Sequence, residues 1–349
     1  MSPRDLVVAG GGPIGLATAI GAALAGLDVE LWEPRPGPID KACGEGLMPP
    51  AVAALAALGV PIPAAHPFEG IRYVQGDDAV AAPFPGGPGL GVRRLALAEA
   101  LSQRAAALGV PIVQRRVTTF TQDDDGVTLT DGPRARWLIA ADGLHSPIRA
   151  ALGLARPSRR PPRIGLRQHF AVAPWSPWVE VHWAADCEAY VTPVAPDLVG
   201  IAILTHPSVE AGAGPARFAR LLSRFPAIAT RLHSPASALR GAGPFHQPVR
   251  APRAGRVLLV GDASGYVDPL TGEGLRLGFA QAAAAIQALS AGRPADYDRA
   301  SPRIVRRAWW MATGLLTLGQ VPLLRRNIVP VARRLPSLLR LALRILGGH

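Results

Sequence analysis

The chain has 349 residues, 49% of them apolar, 5% aromatic and 18% charged, enough for one large composite domain or two ordinary ones with an ample core. Its net charge of +12 is concentrated: from Ser301 onward there is no acid, and Arg303, Arg306, Arg307, Arg325, Arg326, Arg333, Arg334, Arg340 and Arg344 supply most of the excess. The remainder is close to balanced, which excludes a distributed nucleic-acid surface, and two cysteines, Cys43 and Cys187, are too few for a disulfide framework and lack metal-ligand spacing.

Residues 1–5 lead straight into an apolar run with no secretory signal, so a reduced, cytoplasmic setting is expected. Residues 5–9 (DLVVA) read as a buried strand. Gly10, Gly12 and Gly15 then satisfy GxGxxG around Pro13 and Ile14: a tight turn, a close backbone approach for pyrophosphate, and close helix-on-strand packing, followed by a small-residue helix. A second strand over 28–32 ends at Glu33, where a βαβ unit places a carboxylate for an adenosine ribose. With both strands and the acid present, the fingerprint points to dinucleotide binding, FAD or NAD.

Residues 34–50 form a Pro/Gly loop that carries Lys41, the chain's one lysine, with Cys43, Gly44 and Glu45. It is either a cover over a cofactor or a plain surface loop, and Cys43 gets no catalytic role. A short helix covers 51–58, and alternating apolar residues over 71–82 suggest strands facing a binding region. Arg94 begins a helix that shares a face with Leu97, Leu101 and Ala105; it reaches a phosphate or stands in solvent. Residues 117–121 and 127–130 flank Asp123-Asp124-Asp125-Gly126, a hairpin turn. The strand over 137–141 ends at Asp142-Gly143, His145 reads as a turn residue, and Ser146-Pro147 opens a helix as N-cap and first position.

From 164 to 204 four short segments separated by Pro, Asp and Gly read as an antiparallel sheet, the natural substrate platform, and 207–232 as mostly helical. The apolar run 257–260 then ends at Gly261-Asp262, and Pro269, Gly272 and Gly274 break the chain before an Ala-rich helix beginning near Leu275. Such a helix start, with free N–H groups and a partial positive charge, suits an anionic, hydroxyl-rich ligand.

Three separated motifs resemble the flavoprotein superfamily of single-component aromatic hydroxylases, ubiquinone-biosynthesis hydroxylases and geranylgeranyl reductases. They are Gly10-x-Gly12-x-x-Gly15 with Glu33; Asp142-Gly143-x-His145-Ser146-Pro147-x-Arg149; and Gly261-Asp262-Ala263 with Pro269-x-x-Gly272-x-Gly274. The resemblance implies an α/β fold: a Rossmann-like FAD-binding domain (1–70, 91–160, 251–295), an inserted antiparallel-sheet substrate domain (71–90, 161–250) and a C-terminal helical segment (296–349). It implies that Gly10, Gly12 and Gly15 hold the FAD pyrophosphate, Glu33 the adenosine ribose, and Asp262 the ribityl and phosphate region, with Arg94 approaching the pyrophosphate. Gly272 to Leu275 would set N–H groups beside the flavin pyrimidine carbonyl. Arg35, Lys41, Cys43, Gly44, Val117, Asp142 and Gly143 complete the implied cofactor contacts, and the Asp142 segment with Arg149 is implied in passing NAD(P)H.

Within the superfamily, residues 41–46 (KACGEG) and 265–274 (GYVDPLTGEG) look like the geranylgeranyl reductase branch. That branch's aromatic-Phe-Pro signature is replaced by Tyr190-Val191-Thr192-Pro193, and the WxWxIP of halogenases is absent. The first expectation is an NAD(P)H-dependent monooxygenase acting on a lipophilic or aromatic small molecule through a flavin hydroperoxide. The second is a flavin reductase of prenyl double bonds, and the third a redox-inactive flavin-binding protein at a membrane. In the tail, 308–324 is too short and too interrupted to span a bilayer. Leu335, Leu338, Leu339, Ala342 and Leu346 share one helical face, with Arg333, Ser337, Arg340 and Arg344 on the other. Residues 301–349 therefore either lie on an anionic lipid surface, cap the protein's own substrate domain, or make a dimer contact.

Overall fold

The computed structural model describes residues 4–130 and 132–335. The main sheet has a parallel centre of Val257–Leu259, Arg134–Ala140, Arg4–Ala9, Val29–Trp32 and Ile112–Val113, in that spatial order. Arg253–Ala254 adds an antiparallel edge, and the hairpin Phe120–Gln122/Val127–Leu129 pairs with Arg134–Ala140 as expected. The centre is buried on both faces, which is why its strands read as unbroken apolar runs. Leu6, Val8, Ile139 and Leu258 pack against Leu16, Ile20, Leu101 and Ile286 of the helices Pro13–Leu24, Arg94–Ala107 and Gly274–Ser290. The alternate residues Val7, Leu138, Val257 and Leu259 face Trp32, Val127, Leu129 and Ile148 on the other side.

The second sheet has seven strands, in the order Arg240–Ala242, Ile164–Phe170, Leu198–Thr205, Cys187–Ala195, Val179–Trp183, Gly70–Gln75 and Asp78–Pro83. All pairs are antiparallel except Val179–Trp183 with Gly70–Gln75, so two stretches far apart in sequence form one surface. One face buries Val191, Ile201 and Ile203 against Phe218 and Leu221 of the helix Gly214–Leu222. The other buries Phe68, Ile71, Val181 and Trp183 against Leu316 and Val329 of the C-terminal helices. A small sheet of Gly46–Leu47, Gly89–Val92 and Ala65–Phe68 lies against the strand Cys187–Ala195. There a Cβ on Gly91 would overlap the Pro193 carbonyl.

One expectation changes, and one set of alternatives narrows. Residues 207–232 are helical only over Gly214–Leu222 and Pro226–Ala229. Glu210 and Gly212 sit at φ 60° and 93°, outside helical backbone, and the Arg217 guanidinium instead ties the carbonyls of His206, Pro207 and Val209 into a loop. In the tail, the long helix Ala295–Gln320 and the short helices Pro322–Arg325 and Ile328–Arg334 close over the seven-stranded sheet, so the described part of the tail caps the protein's own substrate side. Arg325, counted from the sequence among the excess tail charges, is buried: it donates to the Ala184 and Cys187 carbonyls and to Glu188 (2.6 Å), over the Trp183 ring. The amphipathic pattern from Ser337 to Leu346 lies outside the described residues. Among the described residues no helix is long and apolar enough to cross a membrane.

The close approach at Gly91 is testable. Gly91→Ala should cost on the order of 1–3 kcal/mol by overpacking and lower the melting temperature by several degrees. Gly314→Ala, with open space around it in the long helix, should leave the melting temperature unchanged or raise it slightly.

Candidate cofactor and substrate site

A cavity of about 620 Å³ opens between the two large sheets, at the carboxyl ends of Arg4–Ala9, Arg134–Ala140 and Val257–Leu259. Of the residues expected at a cofactor, Gly10, Gly12, Pro13, Ile14, Glu33, Arg35, Lys41, Cys43, Gly44, Arg94, Asp142, Gly143, Asp262, Pro269, Gly272, Gly274 and Leu275 line it. Gly15, Val117 and Gly261 do not. A Cβ on Gly15 would overlap the Gly10 carbonyl, so Gly15 serves the turn from behind, while Gly12, at the helix N-cap, has nothing within 4 Å of its Cβ position and faces open space. Val117 is buried in the apolar layer with Trp32 and Leu129. Gly261 packs under Ile14 and donates its N–H to Gln281 (3.0 Å).

The polar half of the cavity is rich in groups that lack a protein partner. Glu33 accepts from Gly11 N–H (2.8 Å) and from the Arg35 backbone and guanidinium. Burial works against its charge, but these bonds outweigh burial and hold its pKa below the ordinary carboxylate value. Lys41 and Asp262 make no side-chain hydrogen bond among the described residues. Burial, with Arg35 and Arg94 adding to it, lowers the Lys41 pKa against the opposing pull of Asp262 and Glu33. Burial raises that of Asp262 although Lys41, Arg94 and Arg149 oppose it. Asp142 is pushed up by burial as well; one oxygen accepts from Ile148 N–H and the other is buried without a partner. Opposite them, the helix Gly274–Ser290 begins at the cavity wall. An ammonium without a side-chain partner, partly buried carboxylates with free oxygens, a bare glycine face and helix N-termini fit the phosphates and hydroxyls of a dinucleotide cofactor.

Ser146 caps its helix as expected, accepting from Arg149 N–H (2.9 Å). The Arg149 guanidinium does not line the cavity. It is 3% exposed and donates to the carbonyls of Leu144, Asp262 and Ala263 and to the Gln247 side-chain oxygen.

Sequence reasoning missed a second group. Glu45, at φ 57° between two glycines, accepts from Arg94 N–H (2.8 Å) and makes a short bond to His169 Nε2. His169 Nδ1 meets Ser237 Oγ (2.9 Å) and Arg167 (3.0 Å), and Arg167 reaches Asp40 (2.6 Å), which Arg240 also contacts. This buried network ties the 40–46 loop to the seven-stranded sheet and to the Arg94 helix. The glycine-flanked acid was its one visible signal. The apolar lining is Met48, Phe68, Ile71, Tyr73, Phe84, Val179, Val181 and Leu270; the stretches 71–82 and 164–204 were expected to face a binding region, and Met48, Phe68, Phe84 and Leu270 beside them were not singled out. Tyr190 lines it too and donates to the Leu270 carbonyl (3.0 Å), linking the sheet to the 269–272 turn. Asp268, which caps that turn through Leu270 N–H, is raised to about 6 by burial, against Arg163.

A model of the FAD binding domain matches residues 4–194, more than half of the chain. A menaquinone reductase of Mycolicibacterium smegmatis is 29% identical over 387 residues, covering 99% of this chain and 91% of its own. A para-nitrophenol 4-monooxygenase of Pseudomonas sp. is 30% identical over 324 residues, covering 82% and 77%. Among solved structures, a flavoprotein/dehydrogenase from Cytophaga hutchinsonii superposes with a TM-score of 0.78 at 20% identity, covering 94% of this chain and 92% of its own.

Two predictions arise here. Because Lys41 is the sole lysine and its lowered pKa leaves more free amine at a given pH, an amine reagent at mildly alkaline pH should modify it in cofactor-free protein. Added FAD should protect it, read by peptide mass spectrometry; equal modification with and without FAD removes Lys41 from the site. His169→Leu leaves the buried Glu45 oxygen that met His169 Nε2 without that partner and should cost about 1–3 kcal/mol in urea unfolding, part of which Glu45→Gln in the same chain restores.

Proposed function

Because the chain belongs to the FAD binding domain family, we propose that its cavity seats FAD along the polar half and a lipophilic, prenyl-bearing quinone along the apolar half. The protein is an FAD-dependent oxidoreductase acting on a small molecule. FAD, when bound, supplies two-electron chemistry: it accepts a hydride from NAD(P)H and passes reducing equivalents to substrate or to oxygen.

In this reading the chain's residues bind and orient. The Gly10–Gly12 backbone and the start of the helix Pro13–Leu24 meet the pyrophosphate, and Glu33, kept ionised by Arg35, takes the adenosine ribose. Lys41 and Arg94 offset phosphate charge, and Asp262 accepts from the ribityl hydroxyls. N–H groups of Gly272 to Leu275 favour electron density on the flavin pyrimidine ring.

The observation that carries the substrate class is the division of the lining. Every charged side chain lining the cavity lies in 33–45 or at positions 94, 142, 167 and 262, and the walls over 68–84 and 179–192 contribute none. Met311, Leu315, Leu316, Ile328 and Val329 back those walls and keep water out. An uncharged, elongated molecule fits such a chamber. We place double-bond reduction first, on the end-to-end match with a menaquinone reductase and on the 41–46 and 265–274 loops. Monooxygenation is the second reading, favoured by the identity with a nitrophenol monooxygenase. The free cysteines and the use of NAD(P)H fit a cytoplasmic setting.

Turnover separates the readings. FAD-loaded protein with NADPH and a short-chain menaquinone should, without oxygen, yield a product two hydrogens heavier with its quinone ring unchanged after re-oxidation. A product one oxygen heavier, formed only in air, replaces reduction with hydroxylation. Protein that binds FAD but turns over no lipophilic quinone under either condition sinks the substrate class.

A further inference from the structure

The C-terminal helices carry a face that the cavity does not use. Among the described residues eleven large apolar side chains are exposed, and eight of them fall within 309–335. Trp310 is 64% and Leu323 71% exposed, and Trp309, Leu318, Leu324 and Val331 accompany them. So dense a run on 27 residues is unlike the scatter of single exposed apolar residues on ordinary surfaces. The long helix explains the arrangement. Ser301, Ala308, Ala312 and Leu316 recur near the helical period and are buried, and the opposite stripe, Arg303, Arg306, Arg307, Trp310 and Leu318, faces out.

Charge identifies the occupant. No acid follows Asp298 in the chain, and among the described residues Arg303, Arg306, Arg307, Arg326 and Arg334 are exposed with no acidic partner. The other two described arginines of this stretch are committed elsewhere, Arg325 to Glu188 and Arg333 to Asp78. A second copy meeting this face symmetrically would bring arginine against arginine. An anionic lipid surface satisfies both chemistries: phosphates for the guanidinium groups, and the acyl boundary for the tryptophans and leucines.

We propose that residues 303–335 dock the protein on an anionic bilayer. The same helices present Leu316, Ile328 and Val329 inward, behind the apolar chamber, so docking sets that chamber's outer wall on the phase where a lipid-soluble substrate resides. This deepens the lipophilic-substrate reading, but its test does not depend on turnover.

The test is flotation of the FAD-loaded full chain with vesicles of phosphatidylcholine alone or with phosphatidylglycerol, at low and high salt. Binding should be about tenfold or more tighter on the anionic vesicles and weaken with salt. Trp310→Ser with Leu323→Ser, and separately Arg306→Gln with Arg307→Gln, should each lose about tenfold or more, with FAD content, melting temperature and turnover of a detergent-dispersed short-chain quinone unchanged. Equal binding to both vesicle types, no binding at all, or unchanged binding by both variants overturns the proposal. So does a wild-type dimer that Trp310→Ser with Leu323→Ser disperses while neither protein floats, because the occupant is then a second copy. Specific binding to anionic vesicles without quinone turnover upholds the docking and removes only the quinone.

Discussion

One buried guanidinium holds the site together. The strand ends that form the cavity come from three distant parts of the chain, and parallel pairing alone does not fix the loops beyond the strands. Arg149 does so by donating to carbonyls on both sides of the junction, Leu144 on its own loop and Asp262 and Ala263 more than a hundred residues away. Its depth makes those bonds strong, since a cation in a low-dielectric interior has no water to compete for it. Ser146 sets the helix turn from which the side chain departs, and Gln281 braces the far loop through Gly261, Ser264 and Ser301. With the loops fixed, Asp142 and Asp262 hold their places beside Lys41 without bonding to one another.

The two halves of the cavity follow opposite physical rules. On the polar side, partly desolvated ions are left short of partners, a costly state for the protein alone that a bound phosphate and hydroxyl group relieve. On the apolar side, Phe68, Tyr73, Phe84 and Val181 leave nothing for a charged ligand to pair with. Tyr190 and the Glu45 network join the halves, the first through the Leu270 carbonyl and the second through the 40–46 loop.

Much of the polar half could be read from the sequence because its signals are local. Gly15 is dictated by the Gly10 carbonyl five residues away and Gly10 by its own φ of 112°, Glu33 by the length of one βαβ unit, and the 269–274 turn by closely spaced Pro and Gly. Glu45 and His169 could not be paired that way: 124 residues separate them, and each alone looks like a loop acid or a strand histidine. The apolar wall was legible only as whole stretches, since Ile71 and Val181 alternate along their strands just as core residues do and the pattern does not tell lining from core. Arg325 misled because an arginine followed at once by Arg326 reads as exposed tail charge until Trp183 and Glu188, 137 residues or more upstream, are brought over it. The region 207–232 had helix-forming composition, and positive φ at Glu210 and Gly212 took its first part out of helix.

The parallel pairing of Gly70–Gln75 with Val179–Trp183 has a consequence for synthesis. A ribosome delivers the hairpin over 70–83 with its neighbour still about a hundred residues away, and the strand Val257–Leu259, beside Arg134–Ala140, emerges later again. At about 5–20 residues per second, Ile71 and its apolar companions wait on the order of ten seconds with one edge unpaired. The nascent chain therefore carries an open, adhesive β-edge through much of translation, and shielding that edge is a task for the cell's chaperones before any cofactor can be held.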